Sequence, residues 1–320
     1  MTYQSAAVLA DQENLPKLPA WVSVRPAETP EMLAFCAGGA LTVLDALVTD
    51  QSHGVPVKLL GNRLALSAAT ATSKLEGRLA REGDIRDAFH LTATGEARGP
   101  DGDLLAFWRD AARLRLNGKN RWQALQNVTG PNFEAYVEEW TAAGRARAES
   151  HGPLAGCVSV MREVLTMDNR AERVACLLSD IVLARAMNWT IVLPISARRM
   201  TKMMLRDLVA DGRGGELAVQ QRILNSLEDT ITLARDLATR AAGLRSVAPK
   251  LRAKGSDTAI ALFLSEDAVA PSTMLSPMIQ RSNIPMTDRA ARRFCDRLVE
   301  LGVAHELTGR STFRLYGIGL

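Results

Sequence analysis

The sequence has little of what several common protein functions require. Aromatic residues make up 5% of its 320 residues. Strands draw heavily on aromatic and β-branched side chains, so this scarcity speaks against a β-rich fold. The four cysteines, Cys36, Cys157, Cys176 and Cys295, are widely scattered. With no CxxC pair and no histidine close by, they suggest neither a zinc site nor a disulfide frame, and a reducing cytoplasm fits them. Charge of one sign is not in excess either: 39 Lys and Arg face 35 Asp and Glu, a formal +4. That balance permits an acidic partner without identifying one. Uncharged runs are short, since Met32 to Leu44 and Ala186 to Ala197 fall below the roughly 20 residues that cross a bilayer. The opening residues lack a basic start followed by an apolar run, so no secretory signal and no membrane partner are expected.

The usual catalytic constellations are also missing. No Walker-type GxxxxGK[ST], HExxH or GxSxG segment occurs, and each of those chemistries needs its residues at that spacing. His53, His90, His151 and His305 stand in unrelated contexts and read as surface or satisfied polar groups. Glu76, Glu82, Asp84 and Asp87 form an acidic set, but Asp84 is placed to cap a helix and Glu82 lies beside Arg81 and Arg86, which makes a solvated helix end the simpler reading. Asp101 and Asp103 imitate a calcium loop until Leu105 takes the next ligand position. No enzyme, cofactor or metal is expected.

What remains is a helix-rich globular chain. Hydrophobic residues make up 47% and charged residues 23%, enough apolar surface to offset chain entropy, and Ala, Leu, Arg and Met favour helix. Pro16, Pro19 and Pro26 mark residues 1–28 as an extended arm. Thr29 followed by Pro30 starts a helix to about Val48, with Met32, Phe35, Leu41, Leu44 and Val48 on its apolar side. Gly38, Gly39 and Ala40 offer a place for another helix to approach. Further helical patterns cover 57–82, 84–91, 103–114, 119–128, 131–149, 153–167, 170–187, 196–210 and 216–244. Asp45 and Asp180 sit among apolar neighbours and require partners if buried, with Arg63 or Arg185 as candidates. The tryptophans Trp108, Trp122, Trp140 and Trp189 read as core residues. From Arg240 to Ser256 there are five cations and no acid, which marks a boundary between a helical domain, 29–250, and a second unit, 256–320.

That second unit has the order helix, irregular segment, helix, then two short strands around a turn, the order of a winged helix. Asp257 to about Asp267 supplies the first helix, and Pro277 interrupts 271–282. Thr287 caps a helix that Gly302 ends. At about 100° per residue, Ala290, Ala291, Phe294, Leu298 and Leu301 share one side and Arg289, Arg292, Arg293, Asp296, Arg297 and Glu300 the other. An arginine row near such a helix's start suits phosphate or guanine in a major groove, while an ordinary amphipathic surface helix shows the same pattern. Val303 to Leu307 and Thr312 to Tyr316 read as strands flanking a turn that carries Arg310. Alternation sends Phe313 and Leu315 inward and Arg314 and Tyr316 outward.

The stretch TDRAARRFCDRLVELGVAHELTGRSTFRLYGI, Thr287 to Ile318, resembles the closing winged helix of the alphaproteobacterial family called domain of unknown function 1403. WVSVRPAETPEMLAFCAGGALTVLDALV, RLALSAATATSKLEGRLAREGDIRDAFHL and GPDGDLLAFWR are similar to that family's early blocks. The family has no established activity; its members are often plasmid-encoded and are described as DNA-binding candidates. The resemblance therefore implies an all-α, multi-helix N-terminal domain followed by a small winged helix. The expected function is binding of double-stranded DNA in the cytoplasm, in regulation or plasmid maintenance. Thr287 and Asp288 would set the helix entry, Arg289, Arg292 and Arg293 would meet bases or phosphates, and Arg310, Ser311 and Arg314 would anchor the wing. The helical domain would serve as a homodimer or partner surface. The alternatives are a winged helix that pairs with protein, and, third, a cryptic enzyme.

Overall fold

The computed structural model describes residues 14–23, 29–93, 95–210, 212–251, 254–310 and 312–319. The expected arm, 1–28, lies largely outside them, and Ser311 wholly so. The fold is mostly helical. Helix α1 (Pro30–Thr49) begins as the Thr29-Pro30 pair dictates, with the Thr29 hydroxyl accepting from the Met32 N–H at 3.2 Å. Its inward face is Leu33, Cys36, Ala37, Ala40, Leu41, Leu44 and Leu47. Met32 and Phe35 are more than half exposed, one step around the helix from the expected apolar side. At Gly39 the indole of Trp21 comes within 3.1 Å of where a Cβ would sit, so the small-residue patch admits a tryptophan from the short helix Ala20–Ser23.

Helix α2 (Val57–Leu75) ends earlier than its pattern suggests, because Gly77 takes a left-handed φ of 80°. The next helix, α3 (Glu82–His90), then starts at Glu82 and carries Gly83 inside it. Helices α4 (Gly99–Arg113), α5 (Arg121–Thr129), α6 (Val137–His151), α7 (Pro153–Met167) and α8 (Glu172–Ala186) follow. The group α2, α3 and α4 packs together, as do α6, α7 and α8. The closest approach is between α6 and α7, where a Cβ on Gly156 would collide with the backbone oxygen of Gly144. The run expected as one helix over 196–210 is instead a tight turn at Ser196–Arg199 and helix α9 (Lys202–Ala210). Asp180 explains the break by holding the Ser196 end: its Oδ1 accepts the Ile195 N–H (3.2 Å), the Ser196 N–H (2.8 Å) and the Ser196 hydroxyl (2.7 Å).

Asp180 is fully buried, and burial pushes its pKa up to about 7 against the hydrogen bonds from Ser196 and Ile195. Among the described residues neither Asp180 nor Asp45 pairs with an arginine. Asp45 accepts the Trp189 indole N–H at 2.7 Å, and Arg185 lies over the Trp122 ring at 5.2 Å. The 35-residue helix α10 (Arg213–Val247) spans the molecule and packs on α1, α2, α7 and α9. By length and mean hydropathy, α1 is the one described helix that could cross a bilayer; one face of it is covered by α10. All four cysteines are free and buried, and burial pushes the Cys157 thiol up to about 12.

The last part comprises helix α11 (Ser256–Phe263), a wide helical turn at Pro271–Leu275, helix α12 (Asp288–Glu300) and strands β1 (His305–Glu306) and β2 (Tyr316–Gly317). The strands pair antiparallel, His305 opposite Gly317 and Glu306 opposite Tyr316. Val269 bridges to Tyr316 from the other side, with N–H···O bonds of 2.7 and 2.9 Å. The strands are shorter than expected, and residues 312–315 are not strand. Phe313 has a φ of +56°, which breaks the alternation. As a result Phe313 is exposed, whereas Leu315 and Tyr316 are both buried, so the expected inward Phe313 and outward Tyr316 are reversed. Side chains from Leu15 to Ile318 form one continuous hydrophobic cluster.

Candidate functional site

Helix α12 is built as its residues dictate. The Thr287 hydroxyl accepts from the Ala290 N–H at 3.3 Å, Asp288 occupies the first turn, and Gly302 follows the end with a φ of 70°. Ala291, Phe294, Cys295 and Leu298 are buried. Each large apolar side chain so covered contributes about 1.5–3 kcal/mol to holding the helix in place. Arg289, Arg292, Arg293, Asp296, Arg297 and Glu300 are all exposed. Within this row Arg292 pairs with Asp288 and Arg297 with Glu300, each at 2.9 Å. Arg289 and Arg293 have no carboxylate within pairing distance among the described residues, so they carry the uncompensated positive charge of this face.

The loop between β1 and β2 is organised by Glu306. Its carboxylate accepts from the Thr308 hydroxyl, from the Thr308 N–H at 2.9 Å and from the Gly309 N–H at 3.0 Å. Burial opposes its charge, but these bonds prevail and hold its pKa below the ordinary glutamate value. Gly309 meets the turn with a φ of 64°. Arg310 reaches Asp87 of α3 at 3.3 Å. The Arg314 Nε–H donates to the Arg310 carbonyl at 3.1 Å. Between α12 and this loop lies a groove of about 520 Å³ that brings together Arg292, Asp296, Phe313, Arg314 and Tyr316. The expected residues Arg292 and Arg314 therefore share a site, and Arg289 and Arg293 stand on the same exposed helix face. Arg310 is turned toward the helical body. Thr287 and Asp288 serve the helix start.

Behind this surface is a buried charged cluster that local patterns did not reveal. Arg109 of α4, 1% exposed, donates to both Glu266 and Asp267. His90 lies 3.3 Å from Asp267, and Arg281 lies 2.8 Å from Glu266. Burial works against the Asp267 charge, yet Arg109, His90 and Arg63 overcome it and hold the carboxyl well below the usual range. Four further bonds fasten the same region: Arg63 to the carbonyls of Ile318 (2.9 Å) and Gly319 (2.6 Å), Arg86 to the Leu307 carbonyl (2.9 Å), and Asn62 to the Ser265 carbonyl (2.6 Å). A sequence signal for this cluster exists: Arg109 is the one charge among Leu104, Leu105, Trp108 and Ala111 on the apolar side of α4. The acids expected as a solvated set are dispersed, with Glu76 near Arg78 and Arg173 and Asp87 near Arg86 and Arg310. Among the described residues no three His, Cys, Asp or Glu side chains gather as metal ligands.

The family model described as Protein of unknown function (DUF1403) matches residues 6–318. No curated protein matches the chain.

Proposed function

The chain belongs to the DUF1403 family, and we propose that it binds double-stranded DNA through residues 256–320 acting as a winged helix. The observation that carries this reading is the order and pairing of elements around α12. Helix α11 is followed by the Val269 bridge to Tyr316, the Pro271–Leu275 turn, α12 and the β1–β2 pair. A winged helix has that order, with its first strand paired to its last and its third helix offered to the major groove. The middle helix is reduced to one turn because Pro271 opens it and Pro277 follows soon after its end.

The chemistry of the exposed face agrees with this assignment. Arg289 and Arg293 are available for phosphates or guanine edges, and Arg292, Arg310 and Arg314 can add to them by leaving Asp288, Asp87 and the Arg310 carbonyl. Such a module without a catalytic motif suits regulation or plasmid maintenance. A second reading has its own support: Trp21 and Phe35 stack at 4.8 Å while more than half exposed, beside exposed Met32. A patch of that kind on the helical body suits a protein partner or a second copy of the chain.

The test is fluorescence-anisotropy titration of duplex DNA across a salt series. Five phosphate-contacting arginines would give a slope of log affinity against log salt of roughly −4 to −5. Salt-insensitive or absent binding would overturn the reading. Removing the tail is a poor control, because it strips Arg109 of both its carboxylates; charge-removal variants at the exposed arginines of α12 leave that cluster intact and isolate the contact.

A further inference from the structure

The groove between α12 and the β1–β2 loop contains a group that duplex contact does not use. Phe313 leaves 70% of its surface in solvent. It holds a left-handed backbone with a φ of +56°, which a bulky side chain seldom adopts. That conformation turns the ring out of the hydrophobic cluster that takes Leu315 and Tyr316 and places it at the groove. Arg292 and Arg314 line the same groove. At the back, the Tyr316 hydroxyl donates to Asp296 at 3.2 Å.

A flat apolar ring that shares a groove with two cations matches a flat base attached to an anionic backbone. Stacking on an aromatic face is the general means of binding single strands, because every base has a π-face, and flanking arginines follow the phosphates. Asp296 adds an acceptor suited to an exocyclic amino group such as that of cytosine. A base pair inside the duplex is stacked on both faces and cannot use such a ring. The groove volume, about 520 Å³, lies in the range of pockets that hold small molecules, roughly 300–1,000 Å³.

We propose that this groove takes an unpaired nucleotide of a DNA strand, its base stacked on Phe313 and its phosphates beside Arg292 and Arg314. The protein would then prefer duplex that ends in a single-stranded overhang. This inference rests on the DNA-binding reading and assigns the groove a ligand of its own.

The experiment compares the full chain's affinity for a blunt duplex and for the same duplex with a short oligo-dC overhang, at one low salt concentration. The overhang is expected to bind about tenfold tighter, the scale of one base–aromatic stack. Phe313→Ala should remove that preference while leaving blunt-duplex affinity unchanged, and Phe313→Trp should keep it. Equal affinity of the wild type for both DNAs, or a preference that survives Phe313→Ala, would overturn the inference and leave the duplex reading standing. Binding of overhang DNA without blunt duplex would overturn the duplex reading and support the groove. No binding to either DNA would overturn both.

Discussion

Arg310, at the loop between β1 and β2, lies 3.3 Å from Asp87 on α3, so the loop faces the helical body through an ion pair. A DNA phosphate would compete with Asp87 for that guanidinium. Arg310 is half solvated and shares Asp87 with Arg86, so its own pairing contributes about 1 kcal/mol. Asp87→Asn should therefore strengthen duplex binding by up to about fivefold and steepen the salt slope, because one more cation is free to meet phosphate. Anisotropy titration at two salt concentrations measures both, and weaker binding would mean that Arg310 works on the body and not on DNA.

The arginines of α12 should be unequal. Among the described residues Arg289 and Arg293 have no acidic partner, whereas Arg297 is held by Glu300 at 2.9 Å. Arg293→Ala is expected to weaken duplex binding across all sequences and reduce the salt slope by about 1. Arg297→Ala should change both far less. Titrations of the two variants beside the wild type check the order.

Arg109 is buried with Glu266 and Asp267 as its partners. Arg109→Met leaves two buried carboxylates without their main cation, and breaking such a pair costs about 3–5 kcal/mol. The denaturant midpoint should fall accordingly, with faster proteolysis near residues 250–256. Arg109→Lys should restore little, since one ammonium lacks the fork that spans two carboxylates.

Stability should depend on pH through Asp180. Its pKa rises on folding from 3.8 to about 7, so the folded state binds more protons than the unfolded state between those values. The contribution is full below pH 3.8, declines as pH rises and is gone above about 7. At about 1.4 kcal/mol per unit the decline totals on the order of 4 kcal/mol. Asp180→Asn keeps an acceptor for Ser196 and Ile195 and cannot ionise. Its urea-unfolding free energy should lack that decline between pH 4 and 7, and an unchanged slope would place the titration elsewhere.

Local chemistry was legible in the sequence. Thr29 with Pro30, the helix Pro153–Met167, the Thr287 cap and the Gly302 stop all stand where short-range rules put them. On α1 the expected side holds at Leu41 and Leu44 and fails at Met32 and Phe35, which are apolar yet lie outside the buried arc. Strand alternation failed at Phe313 because one left-handed residue resets which side comes next. The grip of Arg109 on Glu266 and Asp267 joins residues 157 and 158 positions apart, and no periodicity carries information over that distance. The same holds for Trp189 and Asp45, 144 positions apart. An odd charge on an apolar helix face says that a partner exists; only the packed chain says which.

The four buried thiols divide the molecule into separately timed compartments. Cys36 sits on α1, Cys157 and Cys176 on neighbouring α7 and α8, and Cys295 on α12. None can meet an alkylating reagent until its own neighbourhood opens, so each labelling rate is a clock for that region. If the clamp around Arg109 opens before the helical body does, Cys295 would be modified while Cys157 and Cys176 remain protected, and one mass spectrum taken over time would record the sequence in which the structure comes apart.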